Sequence, residues 1–212
     1  MPREYFDNLN GFSLPLDGEW FDFRPVRQED WKIVQDGMSA LSSRSRYLRF
    51  FSYISRLTDE QLHYFTAVDQ HDHVAWIALA RNQPEHPGVG IARFIKLPNQ
   101  PEIAEFAVTV IDRYQHRGIG GLLLAVLYRM ACLKGVQILR GFVLPENQLM
   151  AAWLSRLGAV SHYEGNVCRM ELIVHADTAV SPAQHLLNLF DEYADKIMPS
   201  VSQSPISRDK TD

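Results

Sequence analysis

Cysteine is scarce in this chain: 212 residues contain two, Cys132 and Cys168. They lack the spacing of metal ligands, and they read as packed thiols rather than as a disulfide. There is no surplus of basic charge. Lys and Arg total 21 against 25 Asp and Glu, a formal net charge of −4, so there is no global reason to expect a nucleic-acid partner. No run is long and apolar enough to cross a bilayer. Arg3, Glu4, Asp7 and Asp17 break up the first twenty residues, which do not read as a signal peptide. No internal repeat or low-complexity tract is visible, and the cytoplasm is the default location. What remains is a globular composition, 46% hydrophobic and 22% charged, in a chain long enough for a sizeable core.

The most informative stretch is residues 103–134. Phe106 to Ile111 is a run of apolar and β-branched residues, the composition of a buried strand. Leu122, Leu123, Val126, Leu127, Met130 and Leu133 then recur at helical spacing, which predicts an amphipathic helix. Between them lies Gln115-His116-Arg117-Gly118-Ile119-Gly120-Gly121. Glycine permits a sharp turn and lets a ligand approach without a Cβ in the way. The first helical turn leaves N–H groups unpartnered at an electropositive end, a ready site for phosphate or pyrophosphate. The dinucleotide fingerprint fails here for want of its third glycine, and the P-loop fails for want of Gly-Lys-Ser/Thr.

The rest of the chain supplies the frame. Residues 1–20 read as a loosely structured lead-in, with turn signals at Asn10-Gly11 and Pro15. Phe21 to Val26 is predicted as a strand and Arg27 to Leu41 as a helix opened by Gln28-Glu29-Asp30. Ser42 to Ser55 is basic and aromatic together. One reading makes Arg44, Arg46 and Arg49 an anion or nucleic-acid patch; the favoured one, without a basic surplus elsewhere, is a helix with Tyr47, Leu48, Phe51 and Ile54 inward and the arginines towards solvent, with a role in shaping an acceptor cleft. Thr58 and Gln61 fit a capping box for the next helix. Asp69-Gln70-His71-Asp72-His73 suits neither a helix face nor a zinc motif and reads as a polar loop; no metal site is expected. Strands over Val74 to Arg81, Val89 to Leu97 and Glu102 to Ile111 make a meander, and Gln137 to Val143 is a further strand. Asn147 leads a helix bearing Met150, Trp153, Leu154 and Leu157, which stops at Gly158. Two strands, Ala159 to Tyr163 and Asn166 to Val174, close the sheet. A last helix from Ser181-Pro182 to about Met198 presents Leu186, Leu187, Leu189, Phe190, Tyr193 and Ile197, for packing on the domain or for a homodimer contact. Ser200 to Asp212 is polar and predicted to be disordered.

The turn Gln115-x-x-Gly118-x-Gly120 resembles the coenzyme A pyrophosphate loop of the GNAT superfamily of acyl-CoA N-acyltransferases. The order of predicted elements over 21–174 is similar to that fold, as is Asn147 with the Leu157-Gly158-Ala159 ending. The resemblance implies an α/β (α+β) fold with a mixed, mostly antiparallel sheet splayed at its centre and flanked by helices. It divides the chain into a lead-in (1–20), a GNAT domain (21–174) and a C-terminal helix with its tail (175–212). It further implies acetyl-CoA as co-substrate, bound by Val108, Thr109, Val110, the loop residues Gln115, His116, Arg117, Gly118, Ile119, Gly120 and Gly121, and Asn147 beside the pantetheine arm. Backbone N–H groups near Val110 and Ile111 would polarise the thioester carbonyl.

An acceptor amine must lose a proton before it attacks, because an ammonium has no lone pair. Glu105, early on the central strand and next to an apolar run, is the candidate base. Arg46-Tyr47-Leu48-Arg49-Phe50-Phe51 and Ala104-Glu105 are similar to stretches of the bacterial protein-lysine acetyltransferases acting on acyl-CoA synthetases, which implies a protein-lysine acceptor. Many GNAT enzymes place a tyrosine acid seven residues after the asparagine; here that position is Leu154, with His162 and Tyr163 the nearest alternatives in sequence. Three classes stay open on sequence: an N-acetyltransferase for protein lysine or a small amine, an acyl-CoA sensor without turnover, and a phosphate-binding scaffold.

Overall fold

The strand His73–Ala80 (β3) carries no charged residue after its first and is buried from Val74 onwards. A strand apolar on both faces has to be covered on both, and the layers follow from that. A computed structural model describes residues 11–174, Asn188 and Met198–Pro199. Before β3 come β1 (Phe12–Leu16), β2 (Glu19–Pro25), a 3-10 turn (Gln28–Asp30), α1 (Trp31–Ala40), α2 (Ser43–Phe50) and α3 (Asp59–Thr66). After it come β4 (Gly88–Leu97), β5 (Gln100–Val110), a 3-10 turn (Asp112–Tyr114), α4 (Ile119–Leu133), β6 (Ile138–Val143), α5 (Gln148–Arg156), β7 (Val160–Glu164) and β8 (Val167–Ile173). The sheet order is β7-β8-β6-β5-β4-β3-β2-β1, with the two-residue β9 (Met198–Pro199) antiparallel beyond β1. Every pairing is antiparallel except β5 with β6.

α4 covers one face of the sheet. Val74, Trp76, Ala78 and Ala80 belong to the cluster that includes it, while Ala75, Ile77 and Leu79 pack with Ile33 of α1 on the other. The apolar stripe predicted for α4 underestimates its burial. Ile119, every residue from Leu122 to Tyr128, Met130 and Ala131 are buried, while Leu133 is 44% exposed. A helix enclosed almost all round gains roughly 1.5–3 kcal/mol for each large apolar side chain removed from water. It is therefore a rigid support for whatever its first turn holds.

One sequence expectation needs correcting. The lead-in contains a strand, with Phe12, Leu14 and Leu16 buried and Phe12 stacked on Phe23 at 5.0 Å. Pro15 signalled a turn, but it lies within β1, opposite Trp20 of β2. Of the helix expected from Ser181 to Met198, the described residues include Asn188, which is helical, and Met198, which is extended along β1. The remainder, the dimer contact expected of it and the polar tail lie outside the described residues.

Between β2 and α1 the chain turns on a buried ion pair. Arg24 meets Asp30 through two hydrogen bonds of 2.7 Å, and Asp30 also accepts from the Arg27 backbone at 2.8 Å. The capping box of Thr58 and Gln61 forms as expected.

Candidate active site

β5 and β6 run in parallel register only from Ile103–Ile138 to Glu105–Arg140. Beyond that, β5 continues with β4 as far as Gly90–Val110, while β6 continues with β8 as far as Val143–Cys168. The two strands separate, and the direction of the freed main chain can be worked out. Ile111 donates its N–H to Val89 O at 2.9 Å, and Gln137 donates to Glu102 O at 2.7 Å. Antiparallel pairing alternates, so the odd-numbered residues of β5 bond to β4 and the even-numbered ones aim at the gap. The main chains of Val108 and Val110 are thus turned towards the opening, whereas that of Thr109 is committed to β4. This corrects the expectation for Ile111, whose N–H is already spent.

The gap opens into a cleft of about 1190 Å³. Its lining includes Glu105, Val108, Thr109, Val110, Gln115, His116, Gly118, Gly120, Gly121 and Asn147. Nearly all the residues expected at a cofactor site are therefore brought together by the fold. Two loop residues stand apart. Ile119 is 1% exposed and sits in the core. Arg117 turns its guanidinium to the β1–β2 hairpin, donating to Glu19 at 2.9 Å and Leu16 O at 3.3 Å, with Asp17 at 3.4 Å. It also lies 5.2 Å from the rings of both Phe21 and Tyr114. Its charge is neutralised there, so any contribution from Arg117 to an anion passes through its backbone.

The glycine turn has the geometry that its composition requires. His116 and Gly118 adopt positive φ, +62° and +84°, and Gly118 stands at the N-cap of α4 with no side-chain cap. A Cβ on Gly118 would meet nothing within 4 Å, and one on Gly120 would lie 3.5 Å from Val110 and 3.9 Å from Val108. The loop is tied back to the strand by Gln115, whose amide donates to Val110 O at 3.0 Å. Open amides at an uncapped, core-embedded helix start make an anion cradle beside the exposed strand edge.

One side of the cleft is walled by α2. Asp112, just after β5, accepts from Ser42 N and Oγ at 2.8 Å each and from Ser45 Oγ at 2.7 Å. Burial opposes its charge, but these hydrogen bonds outweigh that and hold its carboxyl below the usual range. α2 is thereby fastened to the same loop that leads into the glycine turn. Its side chains do not divide as the sequence suggested. Phe51 is 38% exposed, and Arg49, expected in solvent, is half-buried and lines the cleft. A helix of eight residues does not reveal from pattern alone which of its faces meets a neighbour such as Asp112, 67 residues beyond Ser45.

Glu105 is exposed on the cleft wall, with no hydrogen-bond or ion-pair partner among the described residues. Its register partner is Ile95. Leu154 is 2% exposed and also lines the cleft, so an apolar group stands where a tyrosine acid would. His162 and Tyr163 are on β7 and do not line it; Tyr163 is 79% exposed and His162 faces Glu171 at 3.9 Å. Asn147 caps α5, accepting from Met150 N at 3.4 Å.

The polar loop before β3 is built on Asp69, whose carboxylate accepts from the backbones of His71, Asp72 and His73 at 2.8–2.9 Å. His73 Nε2 in turn lies 3.1 Å from Arg93 Nη1. Burial first, and the Arg93 charge second, push its imidazole down to about 4, against an ordinary value of about 6.5. Above about 6.5 both folded and unfolded chains hold it neutral. Between there and about 4 only the unfolded chain takes the proton, so stability is lost as pH falls through that window. Thermal unfolding from pH 7 to 4 should fall less steeply for His73→Gln than for the parent. Parallel curves would show that His73 contributes nothing to the acid response.

No protein-family model matches the chain. It is 34% identical over 187 residues to the acetyltransferase Pat of Mycolicibacterium smegmatis, covering 88% of this chain and 55% of that protein. The chain thus spans about half the length of this curated relative. Among solved structures, the GNAT domain of S. lividans PAT superposes with a TM-score of 0.70 at 24% identity, over 82% of this chain and 99% of that one. The protein yncA of Salmonella typhimurium, solved with its cofactor acetyl-CoA, gives 0.58 at 14% identity, over 76% and 97%. At those identities the structures establish the fold and nothing finer.

Proposed function

Because this chain belongs to the GNAT superfamily, we propose that it is an acyl-CoA-dependent N-acyltransferase that moves an acetyl group from acetyl-CoA to an amine by direct attack, the amine being a protein lysine. The observation that carries this reading is the splay of β5 from β6 beside the glycine turn. An extended acyl-pantetheine would add to the open edge of β5 as a strand would, bonding to Val108 and Val110, with its pyrophosphate over the amides of Gly118 to Gly121. The thioester carbonyl would be polarised by the N–H of Val110. Glu105 on the cleft wall would take the proton of the incoming amine, directly or through water. The tetrahedral intermediate would then collapse with loss of the coenzyme A thiolate. Asn147 would lie beside the pantetheine arm.

Acceptors such as an acyl-CoA synthetase follow from the resemblance of residues 46–51 and 104–105 and belong to the same reading. The test is calorimetry with acetyl-CoA, followed by a thiol-release assay across lysine peptides, small amines and a candidate protein. Binding with release to lysine supports the proposal; binding without release to any amine would overturn it.

Leu154 yields a further expectation. A thiolate is a tolerable leaving group, so transfer proceeds without a tyrosine, but less rapidly than it could. Leu154→Tyr should leave acetyl-CoA affinity unchanged and raise kcat by less than the ~10²-fold of a full general acid. Steady-state kinetics beside a binding isotherm decide it. A lower kcat at unchanged affinity would mean that proton delivery is arranged by another route.

A further inference from the structure

Two guanidiniums stand together on the cleft wall, and among the described residues no acid is paired with either. Arg93 is 5% exposed on β4, and Arg49 of α2 is half-buried; both line the cleft and the smaller apolar recess behind it. Arg93 donates to His73 and, at 3.3 Å, to Phe65 O, and it lies over the Phe65 ring at 4.3 Å. Arg49 lies over the Phe50 ring at 4.9 Å and has no hydrogen-bond or ion-pair partner among the described residues. Elsewhere in the protein, sheltered arginines rest on carboxylates: Arg24 on Asp30, Arg117 on Glu19, Arg140 on Glu171. Here burial, and for Arg93 also the repulsion of Arg49, lower both pKa values, to about 10 for Arg49 and about 9 for Arg93. Two like charges sheltered from water are costly unless an opposite charge joins them. Among the described residues no carboxylate pairs with either.

The register says where such a charge would lie. Arg93 pairs with Ala107, and Glu105 is two residues along β5 on the same face. Arg93 therefore stands about 7 Å along the strand from Glu105, with Arg49 beside it on the cleft wall. We propose that Arg49 and Arg93 form an oxyanion subsite of the acceptor cleft, which takes a carboxylate or phosphate carried beside the accepting amine. The proposal rests on the amine-transfer reading above and deepens it: the acceptor is an acidic one. Arg49 supplies the open fork, which matches either oxyanion in two parallel hydrogen bonds. Arg93, already oriented by His73 and Phe65, supplies the second charge.

The probes are lysine peptides flanked by glutamate, by phosphoserine or by serine, with affinity measured by fluorescence anisotropy without acetyl-CoA and KM by thiol release. Glutamate or phosphoserine peptides should bind about 10- to 100-fold more tightly than the serine peptide, and the tighter of the two identifies the oxyanion. Arg49→Gln should collapse that difference while leaving acetyl-CoA affinity unchanged, and Arg49→Lys should restore part of it. Equal binding of all three peptides overturns the subsite. So does a preference that survives Arg49→Gln, or an Arg49→Gln effect confined to acetyl-CoA. If Arg49→Gln does not fold, the parent's own peptide preference and its partial loss in Arg49→Lys decide the question. Preferential binding without thiol release from any peptide would remove the amine-transfer reading and leave the subsite standing.

Discussion

Glu105→Gln is expected to lower acetyl transfer about 10²–10⁴-fold, the usual worth of a positioned base. Acetyl-CoA affinity should remain at the parent value. The substitution keeps the size of the side chain and its hydrogen-bonding reach but cannot hold the proton that the amine sheds. Position makes the prediction clean: Glu105 lies at the last register pair before β5 leaves β6, upstream of Val108 and Val110. It is also exposed and unpaired among the described residues, so its loss breaks no internal contact that could mimic a catalytic defect. A lysine amine has an ordinary pKa of about 10.4, so the deficit should shrink as pH rises and free amine accumulates without help. Rates of parent and variant with one competent amine, from pH 7 to 10, supply the measurement. Transfer within a few-fold of the parent at every pH would reduce Glu105 to a solvated strand residue.

Gly120→Asp should abolish acetyl-CoA binding and leave the fold in place. A Cβ at this position finds only ordinary contact, 3.5 Å from Val110 and 3.9 Å from Val108. An aspartate in the first turn of a helix is moreover favourable for the helix itself, by about 0.3–1 kcal/mol. What it changes is the cradle: a carboxylate is set among the amides that would hold the pyrophosphate, with a side chain between loop and strand. Gly118→Asp should have the same effect on binding at some cost in stability, because Gly118 sits at φ +84° and a side chain there is strained. Calorimetry with acetyl-CoA, beside circular dichroism and a melting curve, separates the two losses. Unchanged affinity in Gly120→Asp would remove the cofactor from this turn altogether.

What the chain determined by itself was local. Glycines that need positive φ, a capping box and a helical spacing of leucines act over a few residues, so the β5–turn–α4 unit and the strand order around it could be read in advance. Leu154 in place of a tyrosine was visible only through resemblance, and even within that unit α4 was taken for a one-sided helix because period alone cannot count its neighbours. The tertiary structure decided the rest, since it is made of pairings between residues far apart. The splay depends on β6 turning from β5 to β8, and no feature of either strand alone specifies where. Arg117 reads as a phosphate ligand until Glu19, 98 residues away, claims it. Phe12 and its strand become core only when Phe23 stacks on them. Arg49 was read as solvated because eight residues of helix do not say which face is covered. With α2 anchored through Asp112, it becomes a sheltered charge beside Arg93 on the cleft wall.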